Sequence, residues 1–115
     1  MLGSASPIYE LVSGQLRLGK QAAFAKAHQE ILVPILQDTG IEPVSMLVTE
    51  AGSYGRFLNI YRYLNLDKYG QQTDAFAHDQ RVADYFAELL DCIEGPLQVD
   101  LAIELFPHPI MPANP

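Results

Sequence analysis

A chain of 115 residues allows one domain around one hydrophobic core. Its apolar share of 49% and charged share of 18% are those of a globular protein, and its net charge of −7 (fourteen acidic, seven basic residues) argues against nucleic acid and anionic membrane surfaces as partners. The single cysteine, Cys92, leaves no intrachain disulfide and fits a reducing compartment; with no apolar run near the ~20 residues of a membrane-spanning helix and no basic leader in "MLGSASPIYE", the expected setting is the cytoplasm.

Residues 1–6 are small and polar, and a flexible N-terminus is expected there. From Ile8 the chain alternates, with Ile8, Glu10 and Val12 on one side and Tyr9, Leu11 and Ser13 on the other. This predicts a strand over 8–17, with Gly14 as a bulge candidate. "KQAAFAKAHQEILVPILQDTG" follows as a helix whose stripe is Phe24, Ala27, His28, Ile31 and Ile35. Gly40 stands where a left-handed cap belongs, and Pro34 is expected to kink the helix or end its first part. "IEPVSMLVTEA" reads as a second strand, "GSYG" (52–55) as a turn, and 56–65 as a third strand. A four-residue turn pairs Glu50 with Phe57, Val48 with Asn59, Met46 with Tyr61 and Val44 with Tyr63, all on one face.

The next thirty residues are helical in two pieces, with Asp67 and Asp79 as the expected caps and Gly70 weakening the first. Val82, Tyr85, Phe86, Leu89, Leu90 and Ile93 make the apolar stripe of the second piece. "GP" at 95–96 stops it, and 97–106 alternates as the clearest strand. The tail from 107 to 115 holds four of the eight prolines and is expected to be extended.

The order β-α-β-β-α-β over residues 7–106 predicts an α+β, ferredoxin-like fold: an antiparallel sheet with both helices on one face. The other face of such a sheet should be polar in a monomer. Here the third strand carries Phe57, Asn59, Tyr61 and Tyr63 on one side and Leu58, Ile60, Arg62 and Leu64 on the other. Neither side is plainly wet, so a second copy is expected to cover the open face, two sheets closing into a dimeric α/β barrel.

Particular residues carry a family likeness: "YEL" at 9–11, "LGK" at 18–20, "TEAG" at 49–52, the Tyr-x-Tyr at 61–63 and "LNLDKY" at 64–69. With these the chain resembles the NIPSNAP family, within the dimeric α+β barrel superfamily. Val12 stands where that family usually has Arg, Gly55 at its turn Asn, Asn59 at its strand His and Tyr61 at its Trp. The exchange of His for Asn removes a group that titrates near neutrality. The family has no single agreed activity. The resemblance implies a homodimer that binds a small, partly apolar molecule between sheet and helices, with no cofactor. Related barrels include cofactor-independent monooxygenases, haem-degrading enzymes and isomerases, so such an enzyme is the alternative, and a purely structural or interaction dimer a third reading.

The candidate ligand-binding residues are Tyr9, His28, Asn59, Tyr61 and Tyr63. The last three either wall a pocket with aromatic bodies and polar tips or form a packing face whose hydroxyls find backbone partners. Tyr9 joins them only if its register puts it on their face. His28 is the best general acid or base available, or a packed residue at the helix–sheet boundary. Glu10 and Glu50 are strand carboxylates, each a buried base or one half of an ion pair with Arg62 or Arg17. The three histidines are too isolated for a metal, "GSYG" is followed by a strand and so is no nucleotide loop, and Cys92 reads as an apolar filler.

Overall fold

The structure, a computed structural model, describes residues 6–105. Most of the expected N-terminal segment (1–5) and the Pro-rich tail lie outside the described residues. The elements are β1 (Ile8–Leu16), α1 (Gln21–Ala27), a π-helical turn (His28–Leu32), α2 (Val33–Thr39), β2 (Glu42–Val48), β3 (Arg56–Tyr63), α3 (Leu66–Ala77), α4 (Arg81–Cys92) and β4 (Ile93–Ala102). The strands form one antiparallel sheet in the order β2-β3-β1-β4. This is the ferredoxin-like α+β arrangement expected from the sequence. No helix among the described residues is long and apolar enough to cross a membrane.

Pro34 falls in the first turn of α2, after the first part of the helix has ended, one of the two outcomes expected of it. A proline has no N–H to give and its ring collides with the carbonyl four residues back. The helix answers by widening just before it: the Val33 N–H reaches the His28 carbonyl, five residues back, and the rod continues. The wider turn also moves the apolar stripe. Leu32 is fully buried and Ile31 only partly, so beyond His28 the core face runs through Leu32, Ile35 and Leu36. Gly40 closes α2 in the left-handed conformation (φ 76°), as its position predicts.

In the β2–β3 hairpin the pairing is Val48 with Phe57 and Met46 with Asn59, two residues from the register counted on a four-residue turn. The turn is longer, closed by Thr49 N–H to the Arg56 carbonyl (2.8 Å), and Glu50 lies in it, exposed. A slip of two keeps every side chain on its face, so Met46 and Val48 still share the helix side with Phe57 and Asn59. A bulge between Pro43 and Ser45 turns Val44 out instead.

Asn65, not Asp67, caps α3, its side chain accepting the Lys68 N–H at 2.8 Å. Asp79 accepts the Arg81 N–H at 2.9 Å at the entry to α4. Leu90 falls outside the buried stripe of α4 and is exposed. β4 starts at Ile93 and passes through Gly95 (φ 75°) and Pro96, where the sequence predicts a break. It is an edge strand, so a residue without an N–H is tolerated. The irregular pairing opposite Gly14 belongs to this strand: three residues of β4, 95–97, face the one glycine between Ser13 and Gln15. Gly14 itself is needed for space. A Cβ there would stand 2.9 Å from the Phe57 ring.

Candidate ligand cavity

The central strands β1 and β3 set the site. Their register opposes Ile8 to Tyr63, Glu10 to Tyr61 and Val12 to Asn59, all on the helix-facing side. Over these residues α3 and α4 do not close fully on the sheet. A cavity of about 230 Å³ remains, walled by Glu10, Tyr61 and Tyr63 from the sheet and by Tyr69, Phe76 and Tyr85 from the helices.

Glu10 is the one charged residue on its wall among the described residues. One carboxylate oxygen accepts from the Tyr63 hydroxyl (3.0 Å) and the other from the Tyr69 hydroxyl (3.4 Å). The two tyrosine rings meet edge to face, 4.9 Å between centroids. Burial, and then the Glu10 charge, push the Tyr63 and Tyr69 pKa values up; burial does the same for Tyr61 and Tyr85. All four stay protonated at neutral pH, and Tyr63 and Tyr69 donate to Glu10. Glu10 therefore pairs with these tyrosines and not with Arg62 or Arg17, the ion pair that the sequence offers as one alternative. Arg62 points to the other face, where it meets Glu42 at 3.5 Å, and Arg17 is exposed.

Behind this wall lies a second polar group. His28 is buried, with Nδ1 2.9 Å from the Phe24 carbonyl. A carbonyl only accepts, so Nδ1 carries the proton and Nε2 is the acceptor. Nε2 takes the Asn59 amide N–H at 2.9 Å and faces the Tyr85 hydroxyl at 3.4 Å. Burial lowers the His28 pKa, and the Phe24 carbonyl opposes that shift. The ring is thus a neutral acceptor that fixes the Asn59 amide. Asn59 Oδ1 is buried with no hydrogen-bond partner among the described residues.

The five sequence candidates divide accordingly. Tyr61 and Tyr63 line the cavity. His28 and Asn59 touch each other behind it and reach it only through the neighbouring Tyr61 and Tyr85. Tyr9 is a correction: it pairs with Arg62 and Ala102, faces the opposite side of the sheet, and bonds Glu104 through its hydroxyl. Sequence reasoning missed Tyr69 and Tyr85 as site residues. Tyr85 was visible as part of the α4 stripe, but nothing in a stripe separates a core tyrosine from a cavity tyrosine. A second recess of about 240 Å³ lies near the β1–α1 loop, and its charged residues, Arg17 and Glu94, are both exposed.

The NIPSNAP family model matches residues 9–95. Among solved structures, a NIPSNAP family protein from Agrobacterium tumefaciens superposes with a TM-score of 0.77 at 21% identity, covering 91% of this chain and 99% of that one. An uncharacterized NIPSNAP-like domain protein from Burkholderia xenovorans gives 0.79 at 14% identity, covering 94% and 93%. A proposed antibiotic biosynthesis monooxygenase from Nitrosomonas europaea gives 0.69 at 13% identity, covering 93% and 98%. At these identities the structural likenesses establish the fold alone. No curated protein matches the chain.

Proposed function

The chain belongs to the NIPSNAP family, and we propose that it binds a small, partly apolar molecule in the cavity between the sheet and the helices α3 and α4, and does so as a homodimer. One observation carries the binding reading: the interior is not filled where Glu10, Tyr61, Tyr63 and Tyr69 converge. A cavity with apolar walls and a few convergent polar groups is the usual form of a small-molecule site. A purely structural protein has no use for such a void, since unfilled core volume costs stability.

The dimer reading rests on the outer sheet face. Leu11 pairs with Ile60 and Leu47 with Leu58 there, and Leu47 is 53% exposed. A second sheet stacked ~10 Å away would cover these residues. The cytoplasmic setting we propose rests on cysteine usage alone: a single cysteine, Cys92, leaves no intrachain disulfide. Native mass spectrometry of the purified protein tests both readings. A mass of two chains plus a retained small compound is the expected result. A well-folded single chain at micromolar concentration refutes the dimer, and a filled interior in a crystal structure refutes the binding site.

A second reading, a cofactor-independent monooxygenase or isomerase, draws on the Glu10 carboxylate, a base on the cavity wall, and on the fold shared with the Nitrosomonas europaea protein. Oxygen uptake with a panel of quinols and haem checks the monooxygenase. Binding without turnover by any of them removes it.

A further inference from the structure

The chemistry of the cavity wall selects among small molecules. Glu10 brings a negative charge to a cavity whose wall holds no lysine, arginine or histidine among the described residues. The carboxylate has about four acceptor positions, and the Tyr63 and Tyr69 hydroxyls occupy two. Six aromatic residues line the same cavity, Tyr61, Tyr63, Tyr69, Phe76, Tyr85 and Phe86. Aromatic faces and a carboxylate attract the same kind of group, a positively charged one, and both attractions grow as water is excluded. Among the described residues no cationic side chain meets this carboxylate, and a cationic ligand would fill that place.

From this we infer that the cavity takes a small organic amine: a protonated ammonium group set against Glu10 and the tyrosine rings, with an apolar body of a few carbons lying along Phe76, Phe86 and Leu89. The inference rests on the binding reading above and narrows it. Size agrees. A cavity of about 150 Å³ holds benzene, so about 230 Å³ admits roughly nine heavy atoms. Charge agrees as well: the chain carries −7 overall, a field that draws cations and repels carboxylates and phosphates.

Three probes of nearly equal size separate charge from shape: 2-phenylethylammonium, 2-phenylethanol and phenylacetate, titrated by calorimetry at pH 7 and low ionic strength. The cation is expected to bind at least about tenfold more tightly than the alcohol, with phenylacetate weakest. Glu10→Gln is expected to bring cation and alcohol to within about twofold of each other. Equal or tighter binding of the alcohol or of phenylacetate overturns the inference and leaves the binding site standing. Failure of all three to bind at millimolar concentration overturns both. Should Glu10→Gln not fold, the wild-type ranking still decides on charge, and proton NMR contacts from the ligand methylenes to the Tyr63 and Tyr69 rings decide on place. Tight binding of the cation without those contacts puts it elsewhere and defeats the assignment.

Discussion

Protonating His28 should destabilise this protein; the structure gives the sign and proton linkage bounds the size. In the folded chain the ring is 4% exposed, Nδ1–H is committed to the Phe24 carbonyl, and Nε2 accepts from Asn59. A proton on Nε2 would bring two N–H groups face to face at 2.9 Å and place a charge in the core. The His28 pKa is therefore lower folded than its ordinary 6.5, the cause being burial. Between those two values the unfolded chain binds more protons than the folded one, so stability falls as pH falls below 6.5 and levels off below the folded pKa. The slope cannot exceed about 1.4 kcal/mol per pH unit, the limit for one proton. For a chain of this size that limit is a loss of roughly 6 °C in Tm per unit. Urea unfolding at intervals from pH 7.5 to pH 5, wild type against His28→Gln, isolates the effect, because titrations common to both chains cancel in the difference. The substitution should cost stability at pH 7.5 and flatten the acid side of the profile. Parallel profiles for the two chains would refute the neutral-acceptor assignment and the His28–Asn59 contact with it.

Tyr63→Phe removes the nearer of the two donors to Glu10 and should cost about 1–2 kcal/mol in chemical denaturation; no loss would mean that water replaces the hydroxyl without penalty. Gly14→Ala puts a methyl 2.9 Å from the Phe57 ring, which is itself buried against Phe24 at 4.7 Å, so the ring cannot swing away freely. Overpacking of about 1–3 kcal/mol is expected from a urea midpoint, and a neutral result would show that Phe57 has room. Asp79 is held at about 2 by hydrogen bonds from the Arg81 side chain and backbone N–H. Its contribution is fully present above the ordinary carboxylate value of 3.8 and is lost as pH falls from there to about 2. The difference between wild-type and Asp79→Asn acid-unfolding curves should therefore appear at neutral pH and close over that window.

Much of the architecture was legible as pattern. Alternation marked all four strands and helical spacing marked the helices. The even spacing of side chains also placed Met46, Val48, Phe57, Asn59, Tyr61 and Tyr63 together on the right face although the hairpin register was two residues off. Faces survive such an error because side-chain direction repeats every two residues. Pattern failed where a neighbour decided. Gly95 and Pro96 read as a stop, but on an edge strand nothing needs the missing N–H. Tyr9 could not be assigned a face until β1 was set against β3, and it went to the outer one.

Local properties of the chain therefore determined the order of elements, the apolar side of each and the charge that excludes polyanions, because those depend on residues a few positions apart. Tertiary structure alone decided that His28 meets Asn59, 31 residues on, and that Tyr63 and Tyr69 close on Glu10 from 53 and 59 residues away. Such contacts depend on how strands register and helices dock, which involves packing over the whole molecule. The void at Glu10 is of the same kind: it exists only because α2, α3, α4 and three strands stop short of filling the same space.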